Sequence, residues 1–524
     1  MELVVSVIGL VVVVLACSWV CERLELPEPL VLICAGIAIS YLPGVPEFHL
    51  DPDLVLIGLL PPLLFSASIQ TSLVDFKANK RVIMLLSVGL VAFTTAGVGL
   101  VVHAVLPSVG WAGAFAIGAV VAPPDAVAAT AIGRRIGLPR RIVTILEGES
   151  LLNDATALVA LRTALAATLV TVSAGSVLVD FVVAAGGGVL VGLVFFALVG
   201  GVRRHVTDPI LDSGISFVTP FAAYVVAEEI EASGVIAVVV AGLLLGHRAP
   251  VLQTAMSRVL ERANWRTIGF LLEGSVFVII GLQARSIISH AAEDTLSHGE
   301  LLGLCVLALV TVIVLRLVWV FGARLLLFKV GSGRPPASYA LLVGWAGMRG
   351  VVTLAAAFTI PLDMPHRSVL LLIAFVVTVG TLFLQGLSLP WLARRLRVPS
   401  PDPAEDALAR AELIAEASAA GLALLDRLEA ESAHSTATVL RDRVERRDHI
   451  VRARLAEEDD SGEVYAERRL AMLRAERARV LEIRSTGTVA HEVLEDVLGM
   501  LDVEEAMLVV DQRHRDRLRS SREG

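Results

Sequence analysis

Thr144-Ile145-Leu146-Glu147-Gly148-Glu149-Ser150-Leu151-Leu152-Asn153-Asp154-Ala155 lies inside an apolar run from about residue 142 to 170. On a helix, Ser150 and Asp154 are i, i+4 neighbours, as are Glu149 and Asn153. One face then carries two carboxylates, a hydroxyl and an amide, while Leu151 and Leu152 face elsewhere. Roughly 20 apolar residues span a bilayer core. A charge at the centre of such a span costs about 2.5–3.5 kcal/mol on insertion scales. A chain does not keep several such charges without a partner or a use. Hard monovalent cations take oxygen ligands, and this face supplies them. The structural alternative is a buried polar network between helices.

The rest of the chain extends this reading. Of 524 residues, 56% are apolar and 18% charged, and the mean hydropathy is +0.76. Soluble globular chains sit near 45–50% apolar and about 25% charged. The excess excludes a soluble enzyme, a disordered protein and a nucleic-acid binder as readings of the whole chain. It implies an all-α polytopic membrane protein with the lipid bilayer as its solvent. Apolar runs near 3–20, 28–42, 54–70, 82–106, 111–132, 142–170, 177–201, 214–229, 233–246, 265–283, 300–328, 338–360 and 368–393 give about thirteen spans. The first follows Glu2 and no positive residue, so it reads as a span and not a signal peptide. Cys17, Cys21, Cys34 and Cys305 lie in or beside apolar runs without metal-ligand spacing and read as small buried residues. With no Gly-rich phosphate loop, zinc signature or nucleophile elbow, no cofactor is expected, and a pump driven by ATP is unsupported.

Charge placement divides the chain. Residues 401–524 hold 19 Arg, no Lys and 28 Asp plus Glu, close to half of all the charges. The two regimes meet at Val398-Pro399-Ser400-Pro401-Asp402-Pro403, giving a membrane domain over 1–397 and an acidic helical tail over 398–524. Leu413, Leu422, Leu425 and Leu428 carry the tail's helical periodicity. Placing the tail in the cytoplasm puts the N-terminus outside. The inner connections then hold 20 Lys and Arg, among them Lys77, Lys80, Arg81, Arg140, Arg141, Arg203, Lys329 and Arg334. The outer loops hold Arg285 and Arg367 alone, which satisfies the positive-inside rule.

Two spans are interrupted. Pro123-Pro124 in the fifth removes backbone donors and unwinds the helix beside Asp125. Val343-Gly344-Trp345-Ala346-Gly347-Met348-Arg349-Gly350 interrupts the twelfth. Carbonyls freed at mid-membrane must be used, because lipid cannot satisfy them. Two broken spans in corresponding halves point to a secondary-transporter site. Asp125 suits a half-helix N-terminus and Arg349 a half-helix C-terminus.

Leu146-Glu147-Gly148-Glu149-Ser150-Leu151-Leu152-Asn153-Asp154 resembles the signature of the sodium/proton exchanger family, the NhaP-type cation:proton antiporters. Pro124-Asp125-Ala126-Val127-Ala128 is similar to that family's Asp-Pro-Val-Ala segment, and Gly347-Met348-Arg349-Gly350 to its Gly-x-Arg-Gly crossing segment. Leu60-Pro61-Pro62-Leu63-Leu64-Phe65 and Phe383-Leu384-Gln385-Gly386-Leu387 match as well, in the family's order. The resemblance implies one span followed by two inverted six-helix repeats, roughly 28–201 and 214–393, in a homodimer at the plasma membrane. It implies electroneutral exchange of one Na⁺ for one H⁺. It makes Asp154 the carrier of both, with Ser150 as co-ligand of the monovalent cation. Asp125, Asn153 and the backbone of Pro124 complete the site. Glu149 and Arg316 are implied as a structural charge pair, and Arg349 as the charge of the crossing helix.

Two departures bear on the site. Pro124 and Ala126 replace the residues that flank the family's Asp, so only backbone carbonyls are expected to contribute there. Ser66 stands where the family often has an acidic residue after the Leu-Pro-Pro run. The runner-up reading is a K⁺/H⁺ antiporter of the same fold. A channel lacks a filter repeat here, and an intramembrane enzyme lacks a second catalytic motif.

Overall fold

The structure is a computed structural model that describes residues 2–24, 26–43, 54–168, 174–327, 336–400, 402–431, 438–445, 461–486, 497–506 and 508–509. Lys329 and Arg334, counted above with an inner connection, lie outside the described residues. The described residues are helical or in short connections. The chain divides into two units, residues 1–399 and 400–524.

In the first unit, α1 (Glu2–Leu24), α2 (Glu28–Ser40) and α3 (Leu60–Gln70) cover the first three expected spans. α4 (Leu73–Met84) runs through a π-helical turn at Leu85–Leu90 into α5 (Val91–Val105), which makes the fourth span one continuous rod. α6 (Gly110–Val121) and α7 (Ala126–Arg135) are the halves of the broken fifth span. α8 (Arg140–Ala166) is unbroken, and α9 (Ala174–Arg203), α10 (Pro209–Glu229), α11 (Gly234–Leu252) and α12 (Ala255–Leu282) follow. A short α13 (Ala284–Ala292) leads to α14 (His298–Leu327). α15 (Ala337–Trp345) and α16 (Val351–Phe358) are the halves of the second broken span, and α17 (Arg367–Arg395) closes the unit. Among the described residues, eight helical rods are long and apolar enough to cross a membrane by themselves. Of the remaining expected spans, the sixth is the long but charge-bearing α8, and the others are built from shorter or broken helices.

Local chemistry sets the helix starts. Ser72, Asp208, Ser233 and Thr254 each accept a backbone N–H of the first turn, at α4, α10, α11 and α12 respectively. Two neighbourhoods border the site, and α16 touches both. α12 lies on α1, α2, α3 and α10. α6 and α7 lie on α8 and α17. Ile117, Val120, Ile142, Leu146, Leu354 and Ile373 belong to the apolar core that fixes the broken helices against α8 and α17.

In the second unit, α18 (Pro403–Glu431) carries the expected leucines, but Leu413 and Leu428 are 68% and 52% exposed, so the stripe does not close a core. α19 (Ser461–Thr486) buries Leu470 and Leu473. Arg469 bridges Glu476 and Glu504, and Arg477 bridges Asp502 and Glu505. Each of these two arginines meets a pair of carboxylates, a geometry that suits the guanidinium fork better than an ammonium.

Candidate functional site

Because α8 is unbroken, Glu147, Ser150 and Asp154 climb one face at spacings of three and four. All three line a cavity of about 300 Å³ with Pro123, Pro124, Asp125 and Glu273. Asp154 is buried, while Glu147, Ser150, Asp125 and Glu273 are half-buried. The cavity reaches Gln70 and Thr71 at the end of α3, Thr130 in α7 and Glu147 near the start of α8. Glu149 does not line it.

Asn153 turns toward the break in the fifth span. Its Nδ2 donates to the carbonyl of Pro124 at 2.7 Å, so the acceptor released by the double proline is held by a side chain. The Oδ1 of Asn153 is buried and accepts no hydrogen bond among the described residues.

The two broken spans meet through their extended segments. The N–H of Asp125 donates to the carbonyl of Met348 at 2.7 Å, and the N–H of Arg349 donates to Thr381 Oγ1 at 2.9 Å. Arg349 is fully buried, and its Nη1 donates to the carbonyl of Ala122, just past the end of α6. A helix leaves its last carbonyls unbonded and its C-terminus partly negative, and the guanidinium answers both. The Asp125 carboxylate lies against Gly350, at the start of α16, where the partial charge is positive. The expected pairing of charge with half-helix end is therefore present, but crossed. Arg349 of one broken span serves α6 of the other, and Asp125, which opens α7, also reaches the start of α16. The glycines follow from this approach. A Cβ at Gly350 would overlap the Asp125 carboxylate, and one at Gly347 would overlap the Arg316 side chain.

Glu149 and Arg316 meet face to face. Nη1 donates to Oε1 at 2.6 Å and Nη2 to Oε2 at 2.9 Å, and both side chains are 1% exposed. Arg316 also donates from Nε and Nη2 to the carbonyl of Val343 near the end of α15. Ser87 donates to the Glu149 carbonyl. The pair thus joins α8, α14 and α15 beside the crossing. Three other polar or aromatic residues of the spans find partners away from the cavity: Arg162 pairs with Glu228, His103 stacks on Trp111, and Trp345 donates to Ser388.

Two features are not singled out in the sequence above. Glu273 of α12 enters the cavity, although it is the one acidic residue inside the tenth apolar run and carries the same signal that singled out Asp154. Arg203, assigned to an inner loop, is 2% exposed and contacts Asp212 at 3.2 Å and Glu261 at 2.8 Å. Gln253 donates to both of those carboxylates. No local pattern joins residues from α9, α10, α11 and α12, so that network appears only once those helices pack.

A buried carboxylate beside two broken spans, reached by a cavity of oxygen-bearing side chains, defines a membrane-embedded secondary transporter and not an enzyme. The chain belongs to the sodium/hydrogen exchanger family: the profile described as "Sodium/hydrogen exchanger, transmembrane" matches residues 10–395. A protein of Escherichia coli named as the uncharacterized Na⁺/H⁺ exchanger YjcE is 31% identical, covering 98% of each chain. The sodium, potassium, lithium and rubidium/H⁺ antiporter of Bacillus subtilis is 33% identical over 70% of this chain and 58% of its own. The fold is similar to that of the sodium proton antiporter MjNhaP1 from Methanocaldococcus jannaschii at a TM-score of 0.58 and 18% identity, covering 76% of this chain and 99% of that one.

Proposed function

We propose that this antiporter exchanges one monovalent cation, Na⁺ first among them, for one proton, and that both compete for Asp154. The observation that carries the reading is the placement of Asp154 at the buried level of a cavity that also exposes Asp125, Ser150 and Glu147. A carboxylate withdrawn from water holds either a proton or a cation. Competition for that one group couples the two flows without a separate device. Ser150 and Asp154 are the cation ligands from α8, and Asp125 supports them from the crossing. Asn153 fixes the Pro124 carbonyl, Glu149 with Arg316 holds the helices around the site, and Arg349 holds the crossing itself.

The chain crosses the plasma membrane thirteen times as a homodimer, with the N-terminus outside and the acidic tail in the cytoplasm. The distribution of Lys and Arg supports this orientation, and it makes the cavity at the ends of α3, α7 and α8 open to the cytoplasm. The named substrates of the Bacillus subtilis relative extend the candidates to K⁺, Li⁺ and Rb⁺. The test is a cation series in proteoliposomes with wild type and Asp154→Asn. Wild type releases protons on addition of the transported cation. Asp154→Asn, folded by its elution profile, shows none of this for any cation. Substantial cation-dependent proton flux in that variant would remove Asp154 from the mechanism.

A further inference from the structure

Gln385 of α17, within Phe383-Leu384-Gln385-Gly386-Leu387, is fully buried, and neither its Oε1 nor its Nε2 has a hydrogen-bond partner among the described residues. Buried amides are almost always bonded, to protein or to ordered water. Two hydrogen bonds fix what Gln385 faces. The N–H of Arg349 donates to Thr381 Oγ1 at 2.9 Å, and Trp345 Nε1 donates to Ser388 Oγ at 2.8 Å. Thr381, Gln385 and Ser388 follow one another at spacings of four and three, so they share one face of α17. The non-helical segment between α15 and α16 is pinned to that face at both ends, with Gln385 between the pins. Arg349 also has atoms to spare. Its Nη1 is spent on the Ala122 carbonyl, while its Nε and Nη2 meet no acceptor among the described residues. α6, which ends at that carbonyl, packs on α17 as well.

We propose that Gln385 holds a buried water against Arg349, which makes it the positioning residue of the second break. Four residues advance a helix about 6 Å, and a water bonded to two groups reaches between atoms up to about 5.6 Å apart, so one molecule suffices. The donor and acceptor balance selects water. A guanidinium offers donors alone, and an amide offers both kinds. A water accepts from Arg349 and donates to Gln385 Oε1. An anion would accept from Arg349 and from Nε2 but leave Oε1 without a donor. Asn153 does the same service at the first break by bonding Pro124 directly. Both amides stand on the span that follows a broken one, α8 after α7 and α17 after α16. Without the water, Arg349 loses an acceptor at a level where lipid supplies none, and the crossing that sets Asp125 against Gly350 loosens. The water site is independent of which group carries the ion, whereas its effect on exchange rests on transport through Asp154.

The experiment is X-ray hydroxyl-radical labelling of wild type, Gln385→Leu and Gln385→Glu, with Na⁺/H⁺ exchange in proteoliposomes beside it. Radicals formed from a bound water modify a buried methionine only where that water lies next to it. Met348 is fully buried, and its Sδ is 3.4 Å from a Cβ position at Gly386, next to Gln385 in the chain. Met348 should therefore be labelled in wild type. In Gln385→Leu that label should disappear while the exposed Met84 keeps its own. The same variant should melt lower and lose about tenfold in maximal rate, the equivalent of one buried donor left without an acceptor, with the KM for Na⁺ near wild type. Gln385→Glu keeps the acceptor oxygens and should keep the label and most of the rate. An idle amide predicts the opposite for Gln385→Leu, an equal or higher melting temperature with normal exchange, and that pattern overturns the proposal. So does an unlabelled Met348 in wild type, or a label that survives Gln385→Leu. A label that vanishes when gluconate replaces chloride makes the occupant an anion and overturns it too. If Gln385→Leu does not fold, the wild-type label, its behaviour in gluconate and Gln385→Glu still decide. Exchange that survives Asp154→Asn removes the carrier role and leaves the labelling result standing.

Discussion

Glu149 and Arg316 are the clearest case of two residues whose meaning depends on each other. Taking two charges out of water is expensive, and a buried pair recovers that cost only with good geometry and satisfied remaining atoms. Here the two parallel bonds and the Val343 carbonyl provide both. Arg316→Ala leaves Glu149 as an unpaired buried charge, which costs about 3–5 kcal/mol. The melting temperature in detergent should fall accordingly, and Glu149→Gln in the same chain should recover part of it. Singles that simply add in the double variant would mean that the pair does not act as a pair. The sequence suggested this partnership only through resemblance, because 167 residues separate the two and nothing local links them. Asp154 was legible directly, since a charge in an apolar run with a hydroxyl four residues before it needs no partner to be noticed.

Among the helices, the two broken ones position the site. Pro123-Pro124 announces its break in the sequence. The second break, over residues 346–350, is marked by glycines and Arg349, and glycines serve close packing just as often. What separates the two readings is which side chains pass over those glycines. Gly350→Ala should displace Asp125 and lower the exchange rate about a hundredfold, the loss typical of a misplacement of about 1 Å. Near-normal exchange in that variant would show that the crossing yields more than its packing suggests. Outside the spans, Asp294 ties the connection after α13 to the start of α17, accepting from His366 at 2.8 Å and from Ser368 at 3.2 Å. Burial works to raise this carboxyl, but the hydrogen bond and charge of His366, the Thr295 N–H and the Ser368 hydroxyl outweigh it and hold it below the ordinary range. A depressed carboxyl stabilises the fold above its unfolded pKa, and that contribution is lost as pH falls through the folded value. Asp294→Asn should therefore lower the melting temperature at pH 7, and the difference from wild type should close below about pH 4. A difference that persists unchanged into acid would mean that the ionised carboxylate is not what ties the two elements.

For the whole molecule, the question is how much charge each cycle moves. Asn153 cannot titrate, and Glu149 is committed to Arg316. If Asp154 alone changes protonation, one proton leaves for each Na⁺ bound, and the loaded site carries the same charge in both directions. The membrane potential, worth about 2.3 kcal/mol per elementary charge per 100 mV, then neither drives nor opposes turnover. In proteoliposomes clamped at zero and at about −100 mV, the unit in which that work is stated, the reversal point should follow the Na⁺ and H⁺ gradients alone. A reversal point that moves with potential would reveal a second titrating carboxylate. Glu273 and Glu147 would then be the first to replace, because they share the cavity with Asp154.

What the sequence by itself determined was the solvent, the span positions and the residues too costly to be idle. These follow from the apolar run length, the placement of Lys and Arg, and the charges left inside spans, all of which are properties of short stretches. The tertiary structure alone decided which charge answers which helix end. Arg349 on Ala122, Asp125 against Gly350 and Arg203 on Glu261 each join helices distant in the chain. Periodicity describes one helix at a time, and electrostatic partners at a crossing belong to two. The same limit hid Glu273 as part of the site. Its place in the tenth span was readable, but the cavity it shares with Asp154 exists only where α12 and α8 border the same space.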